Sequence, residues 1–499
     1  RSKVSFLTYN SNINLEFDNF IRTSKTSYKF TLANEEGCIY YDSSDWLDVP
    51  HMKSNQSEII VSGWFVNDKY ERNNIHWLKK CLDEGEEFAT ITKKIISGMF
   101  IAFYHDKNVG KVKVFTDPFS LSPHYYNVSD GSLHISPCAA VFSQPKNKKI
   151  EEILLAQGHL FGNYTIYEDV YRFIPGDIIE IENSNIKISN YGYEIEAANI
   201  DVIQEARALL STTPSDLQSI ALSAGFDSRF ILSVSEPQFA YTWGPENSAD
   251  VQNGKKLAAY RNIKFESFRF KSNPVTEIDK SICKQLFSGS VKAYNPQFFS
   301  NYRHAASLSE KNTIALDGYL GDVLQRGVYM SFGGKLGEFY KLFPFLSSSF
   351  LKPEYLLRKR YKKLNNQQFK YVLEDFYNKT SKINAIDSLQ KVTYYEFIYG
   401  RGLRFITSGA LVMNLCFKTT IPLFASRNIF NYFINQKASD ILTYKTFYKV
   451  WKNEDDFYRK MKSEGAYSPG TNPNLVPFLN LFGRVITNFH PKFKNYTKE

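Results

Sequence analysis

The sequence predicts an α/β protein in two parts: a β-rich sandwich over residues 1–195, and a doubly wound parallel-sheet domain with a helical C-terminal part over 196–499. Three observations carry that prediction. Up to about residue 190 the chain shows short runs of alternating or clustered apolar and β-branched residues: Glu58 to Val61, Phe100 to Tyr104, Lys111 to Phe115 and Gly176 to Glu182. Turn pairs such as Asp130-Gly131 and Pro175-Gly176 separate them. From Ala197 to Leu210 the pattern becomes helical, which places the domain boundary near residue 195. Beyond it strand and helix alternate: the apolar run Ile220 to Leu222, a helix from Arg229, a strand Phe239 to Thr242, a helix Asp250 to Tyr260 and a strand Phe265 to Phe270. That order is the signature of a parallel sheet with crossover helices. After Gly334 the pattern is largely helical, residues 354–377 run without Pro or Gly, and a loop-like tail rich in Pro, Gly and Asn follows Gly465.

Bulk properties narrow the function classes. A chain of 499 residues exceeds a single core, so more than one domain is expected. No segment reaches the roughly 18–20 apolar residues that cross a bilayer, and Arg1 to Asn10 has no signal-peptide core. Cys38, Cys81, Cys138, Cys283 and Cys416 are odd in number and widely spaced. They suit neither a disulfide framework nor a zinc site, and they fit a reducing cytoplasm. The net charge of +10 sits largely in the runs Lys146 to Lys149, Arg358 to Lys363 and Lys492 to Lys498. Such runs read as solvated faces rather than a nucleic-acid footprint. The expectation is a cytoplasmic protein with neither membrane nor nucleic-acid partner, acting on small, anionic molecules. Its oligomeric state stays open, a homodimer among the options.

Ser223-Ala224-Gly225-Phe226-Asp227-Ser228 joins a strand to a helix N-terminus. A small-residue turn at that place exposes backbone N–H groups that no helical carbonyl satisfies, and the helix dipole adds positive character. A polyphosphate suits it. Ser223 and Ser228 can donate to phosphate oxygens, and Asp227 can hold the Mg2+ that accompanies ATP. About a hundred residues later a second apolar strand, Ala315-Leu316-Asp317, ends in Gly318-Tyr319-Leu320-Gly321-Asp322. Asp227 and Asp322 at neighbouring strand ends could share a metal on a triphosphate, though each alone also reads as a turn or helix cap.

These residues resemble those of the asparagine synthetase family. Residues 215–470 resemble its synthetase domain, whose ATP pyrophosphatase-type loop reads S-G-G-x-D-S; here Ala224 replaces the first Gly. Gly98-Met99-Phe100 with Tyr104-His105-Asp106, the run Thr116 to Tyr126, and Ile174-Pro175-Gly176 resemble segments of the family's glutaminase domain. The resemblance implies an N-terminal-nucleophile-type first domain and an adenine nucleotide alpha hydrolase-like second one. It also implies ATP and Mg2+ as cofactors. ATP would contact Leu222, Ser223, Gly225, Asp227, Ser228, Thr242, Trp243, Asp317 and Gly318, and the metal Asp227 and Asp322.

The departures matter as much. Family glutaminases attack glutamine with an N-terminal Cys, whereas this chain reads Arg1-Ser2-Lys3, and Ser62-Gly63-Trp64 stands where the family has its N-G-E turn. The expectation is a retained fold without glutamine hydrolysis. The family's S-G-E-G-x-D-E becomes Asp317 to Val323, with Tyr319 in place of Glu. A Tyr here resembles the β-lactam synthetase branch, in which a Tyr–Glu pair deprotonates an amine nucleophile; Glu396 is the candidate partner, with an ion pair to Arg401 as the plainer reading. Tyr458 to Gly465 resembles the family's R-x-K segment, making Lys460 and Lys462 candidates to stabilise charge on the adenylate and pyrophosphate. Lys445 resembles a second family lysine.

The expected activity is ATP-dependent amide formation. A substrate carboxylate is adenylated with release of pyrophosphate, and a substrate amine then displaces AMP. Two alternatives stay open: amidation of a carboxylate such as a sugar acid by ammonia, and a non-catalytic relic acting as a scaffold.

Overall fold

The computed structural model describes residues 6–11, 26–41, 51–292, 294–310, 313–331, 343, 351–463 and 466–487. Arg1-Ser2-Lys3, Gly334, Glu464-Gly465 and the run Lys492 to Lys498 lie outside them. The chain divides into two compact units: Arg1–Ile195 with Val275–Phe299 and Ile398–Thr419, and Glu196–Pro274 with Ser300–Phe397 and Thr420–Glu499. The first break falls where the helical pattern begins. Two later segments return to the first unit, a long-range exchange that no local pattern announces.

The first unit is built on two six-stranded sheets. Strands β1 (Phe6–Tyr9), β2 (Thr26–Leu32), β3 (Glu35–Tyr41), β4 (His51–Lys53), β5 (Ser57–Asn67), β6 (Ile95–Asp106), β7 (Lys111–Thr116), β8 (Tyr125–Ser129), β9 (Ser132–Ser136), β10 (Val170–Arg172), β11 (Asp177–Glu182) and β12 (Asn185–Asn190) order as β10-β8-β9-β1-β3-β2 and β12-β11-β7-β6-β5-β4. Their pairings are antiparallel. One buried cluster joins the sheets, with Leu7, Ile39 and Ile135 from the first facing Ile101, Val112, Val114 and Ile179 from the second. Alternation on strands such as β2 and β7 contributes to that apolar face, whereas β5 and β6 are buried along almost their whole length. Ser62-Gly63-Trp64 is not a turn: it lies inside β5, paired residue for residue with β6, and Trp64 is buried.

The second unit holds a five-stranded sheet in the order β15-β14-β13-β16-β17, from β13 (Gln218–Ala221), β14 (Phe239–Trp243), β15 (Lys264–Phe268), β16 (Ile314–Asp317) and β17 (Thr419–Pro422). β13 runs parallel to both β14 and β16, and β14 to β15. The chain winds from β13 outward to β15 on one side, then returns to β16 on the other. The order therefore reverses between β13 and β16, and the crevice beyond their carboxyl ends is where such sheets take ligands.

The helical run 354–377 is interrupted. Helices Pro353–Arg360 and Asn366–Thr380 flank a break, because Asn365 and Gln368 form a reciprocal capping box that starts a new helix. Among the described residues no helix is long and apolar enough to cross a membrane.

Candidate functional site

β13 delivers Leu222 to Gly225 to the N-terminus of helix Phe226–Ser233, with Gly225 as its N-cap. The turn is braced from within. Ser228 Oγ accepts from the Ser223 amide (3.2 Å), the two serine hydroxyls lie 3.0 Å apart, and Ser223 Oγ accepts from the Gly225 amide (3.1 Å). Ala224 needs no left-handed φ and its methyl is buried, so the departure from Gly is absorbed without backbone strain. Thr242 at the end of β14 donates its hydroxyl to the Leu222 carbonyl.

The second acidic turn meets the first. Leu320, at a left-handed φ of 69°, starts helix Gly321–Arg326. Its backbone packs so closely on Asp227 that a Cβ on Gly321 would lie 2.5 Å from Asp227 Oδ1, and one on Gly318 would lie 2.8 Å from Asp227 Cβ. The Asp322 amide donates to Asp227. Asp227 also accepts from Gln325 Nε2 (3.4 Å) and Arg326 Nη2 (3.3 Å). The turns thus fold to one point, and glycine is required there for contact, not flexibility.

Burial pushes the Asp227 carboxyl up to about 7; Arg326 opposes the rise and Asp322 adds to it. Burial likewise raises Asp317 to about 7, against a hydrogen bond from the Tyr319 amide and with a further push from the Asp227 charge. Arg326, for its part, is pushed up despite burial by the charge of Asp227.

A cavity of about 280 Å³ opens at this switch point. Leu222, Ser223, Asp227, Ser228, Thr242, Trp243, Asp317 and Gly318 line it, together with Tyr241, Asp250 and Tyr302. Gly225, Tyr319 and Asp322 stand outside the lining, although Asp322 abuts Asp227 and the Tyr319 hydroxyl lies 3.2 Å from that of Tyr302. Trp243 meets Tyr302 edge-on at 5.0 Å. The cavity thus joins a hydroxyl-rich turn, carboxylates and an aromatic wall.

Four more candidate residues stand outside the cavity lining. Glu396 is fully buried and gives its carboxylate to Tyr361 (2.6 Å) and Arg360 (3.4 Å), not to Tyr319 or Arg401. Its helix, Gln390–Ile398, turns that residue into the helical core, a facing set by tertiary packing. Lys460 projects to solvent and pairs with Asp456 at 3.0 Å, one turn back on helix Asp456–Lys460; Lys462 is exposed. Lys445 is exposed as well. The cations that reach the turns are arginines. Arg229 is buried, donates to the Ala224 carbonyl (3.3 Å) and the Tyr458 carbonyl (3.1 Å), and so ties the 458–461 segment to the turn by its backbone. Arg229 and Arg326 both lie over the Phe226 ring, at 5.1 and 5.3 Å.

Sequence reasoning missed Arg326, Gln325 and Asp250. Gln325 and Arg326 follow Asp322 by three and four residues, the spacing that puts them on its helical face. Asp250, in the first turn of helix Ala249–Tyr260, accepts the Ala224 amide at 2.8 Å.

Fold and site together define a two-unit α/β protein with a polar ligand cavity at the switch point of its parallel sheet. No protein-family model matches the chain. No curated protein matches it either. Among solved structures, it is similar to the glutamine phosphoribosylpyrophosphate amidotransferase from B. subtilis complexed with ADP and GMP (9% identity, 59% of this chain and 63% of that one, TM-score 0.20). It is similar also to an allosteric regulatory enzyme of purine biosynthesis (9% identity, 66% and 71%, TM-score 0.21). A third is the NH3-dependent NAD synthetase from Campylobacter jejuni (15% identity, 36% and 82%, TM-score 0.18). The chain thus spans just under two thirds of the length of the first. TM-scores this low carry no argument about fold or activity.

Proposed function

We propose that the protein is an ATP-dependent, AMP-forming carbon–nitrogen ligase that joins a small-molecule carboxylate to an amine. The observation that carries this reading is the meeting of the Ser223–Ser228 turn with the Gly318–Asp322 turn at one switch-point cavity. A carboxylate oxygen of the substrate attacks the α-phosphorus of ATP, the bond to the β-phosphate bridging oxygen breaks, and pyrophosphate leaves. The amine then attacks the acyl carbon, AMP departs, and the amine's extra proton passes to a base. The hydroxyls of Ser223 and Ser228 and the helix-start amides would hold phosphate oxygens, and the aromatic wall of Trp243 and Tyr302 would face the base.

The carboxylates fit a nucleotide-borne Mg2+. Burial raises both Asp227 and Asp317, with Asp322 adding to the first and Asp227 to the second, so a further cation beside them would be favourable. Among the described residues no group of three or more His, Cys, Asp or Glu side chains is set to hold a metal alone. Phosphate oxygens and water would therefore supply the remaining ligands, with Asp227 and Asp322 as the protein's share. The bound ion would neutralise charge developing on pyrophosphate. Tyr319, beside Tyr302, would border the amine. A buried Trp64 in place of a carboxylate in β5 supports an amine drawn from a substrate rather than from glutamine in this chain.

Exchange of labelled pyrophosphate into ATP, driven by a panel of amino acids, sugar acids and other carboxylates, tests the reading. Exchange that is lost in Asp227→Asn and Asp322→Asn is expected. Formation of ADP and phosphate, or exchange untouched by both substitutions, refutes it.

A further inference from the structure

The first unit carries a second cavity, larger than the switch-point one and built without any residue of the second unit. It measures about 620 Å³ and lies between helix Lys148–Gln157, helix Glu277–Phe287 and the segment that follows the latter. That volume falls within the roughly 300–1,000 Å³ range of small-molecule sites. We propose that it binds a small amphiphilic carboxylate: an anionic head on an aromatic or branched aliphatic body.

The chemistry of the walls selects this class. Helix Glu277–Phe287 offers the cavity one face, Lys280, Cys283, Lys284 and Phe287, while its Ile282 and Leu286 are buried. The opposing helix offers Glu151, Leu154 and Leu155. The floor is apolar: Leu154, Phe287 and Val291 are buried, and Phe287 packs on Tyr294 at 4.5 Å. Leu155 is 53% exposed at the rim, where it continues the apolar floor outward.

Charge is one-sided. Four lysines (146, 280, 284 and 292) line the cavity against the single acid Glu151. Lys146 is held by Glu151 at 3.1 Å, Lys280 by Glu277 at 2.9 Å, and Lys292 donates to the Leu155 carbonyl at 3.2 Å. Lys284, one turn on from Lys280, has no side-chain partner among the described residues. An anion at the Lys280–Lys284 edge meets a cation with no ion pair to break, and its body covers Leu155 and the floor.

The walls are preformed. Backbone hydrogen bonds stitch residues 158–166 to 289–292: the Leu160 amide to Ser290, the Ile166 amide to Gly289 and the Lys292 amide to Gly158 (3.0–3.3 Å). The Tyr167 and Ser288 hydroxyls lie 3.0 Å apart across the same seam. A site that needs no ordering on binding loses less affinity to entropy.

The test uses the full chain and a matched pair of fluorescent probes, 1-pyrenebutyrate and its neutral alcohol, 1-pyrenebutanol. Saturable one-to-one binding of the carboxylate is expected, at least tenfold tighter than the alcohol and weakened by salt. K280E/K284E, changed at exposed positions, should weaken it at least tenfold with thermal stability retained. Leu155→Ser should weaken both probes alike. Equal binding of both probes, unchanged binding by K280E/K284E, displacement of the probe by Mg–ATP, or no saturation below about 1 mM (an affinity of only about 4 kcal/mol) would each overturn the proposal.

Discussion

Binding of a magnesium–nucleotide should expel protons from the switch-point cavity, because two of the carboxyls that line it are largely buried. Asp227 and Asp317 are pushed up to about 7, chiefly by burial, with Asp322 adding to the rise of the first and Asp227 to that of the second. A carboxyl with pKa about 7 is roughly nine-tenths protonated at pH 6, half at pH 7 and one-tenth at pH 8. A cation held by Asp227 would require that group ionised and, as a nearby positive charge, would favour the ionised form of Asp317 as well. Release of about one to two protons at pH 6, falling to a small fraction of one at pH 8, is expected. Calorimetric titration with a non-hydrolysable ATP analogue and Mg2+, in two buffers of different ionisation enthalpy, reads this number directly. Protons lost by the analogue's own phosphates are removed by comparison with Asp227→Asn, which should release about one proton fewer at pH 6 and nearly the same at pH 8. Equal release from both proteins at pH 6 would refute the reasoning: Asp227 would then be ionised in the free protein, or untouched by the ligand.

Three further outcomes are expected. The nucleotide-free protein should be more heat-stable at pH 5.5 than at pH 8. The folded pKa values of Asp227 and Asp317 lie above the unfolded ones near 4, so the folded state binds more protons between pH 4 and 7. Stability therefore falls as pH rises, by at most about 1.4 kcal/mol per pH unit per group; melting curves that rise with pH in that window contradict it. Gly321→Ala should cost about 1–3 kcal/mol and weaken magnesium–nucleotide binding by more than tenfold, since its methyl would sit 2.5 Å from Asp227 Oδ1 and 2.8 Å from the Phe424 ring; wild-type affinity by calorimetry would show that the turns do not touch. Glu396→Gln should lower stability by about 1–3 kcal/mol, through loss of its charge beside Arg360 and Tyr361, while pyrophosphate exchange per folded molecule stays within about twofold. A hundredfold loss at unchanged melting temperature would return Glu396 to the reacting centre.

What the sequence reveals about this molecule divides by the range of the interaction. The strand ends and the two acidic turns are legible because each is local: an apolar run, small residues, then a helix start. Their convergence follows from strand order, because consecutive right-handed crossovers leave only a few places for β16, and the slot beside β13 is one. The helix break at Asn365 was equally local, its capping box visible in the residues themselves, though an uninterrupted Leu- and Lys-rich run obscures it. Facing is another matter. Glu396 and Lys460 sit on helices whose polar positions carry no mark of which neighbour they meet, and tertiary packing sends one into the helical core and the other into solvent. Arg326 shows the same limit from the opposite side. The spacing of Gln325 and Arg326 from Asp322 marks a shared helical face only once a helix is known to start at Gly321, after the left-handed Leu320, and to turn that face to Asp227.

That placement bears on how the cavity would work. Asp227 cannot serve a metal fully while its charge is shared with Arg326, and Arg326 cannot reach a phosphate while it is held by Asp227. The two functions compete for one carboxylate. A cation entering beside Asp227 would weaken the ion pair by taking over part of its Coulombic role, and would leave a guanidinium, packed over Phe226, free to meet an anion at the Ser223–Ser228 turn. On that reading Asp227 and Asp317 would give up protons as the metal is held, and Arg326 would be freed for the anion that accompanies it. If so, Arg326→Lys should alter affinity for free pyrophosphate more than affinity for Mg2+ alone, because lysine keeps the charge and loses the planar fork. Equal loss of both affinities would mean that Arg326 serves only to hold Asp227 in place.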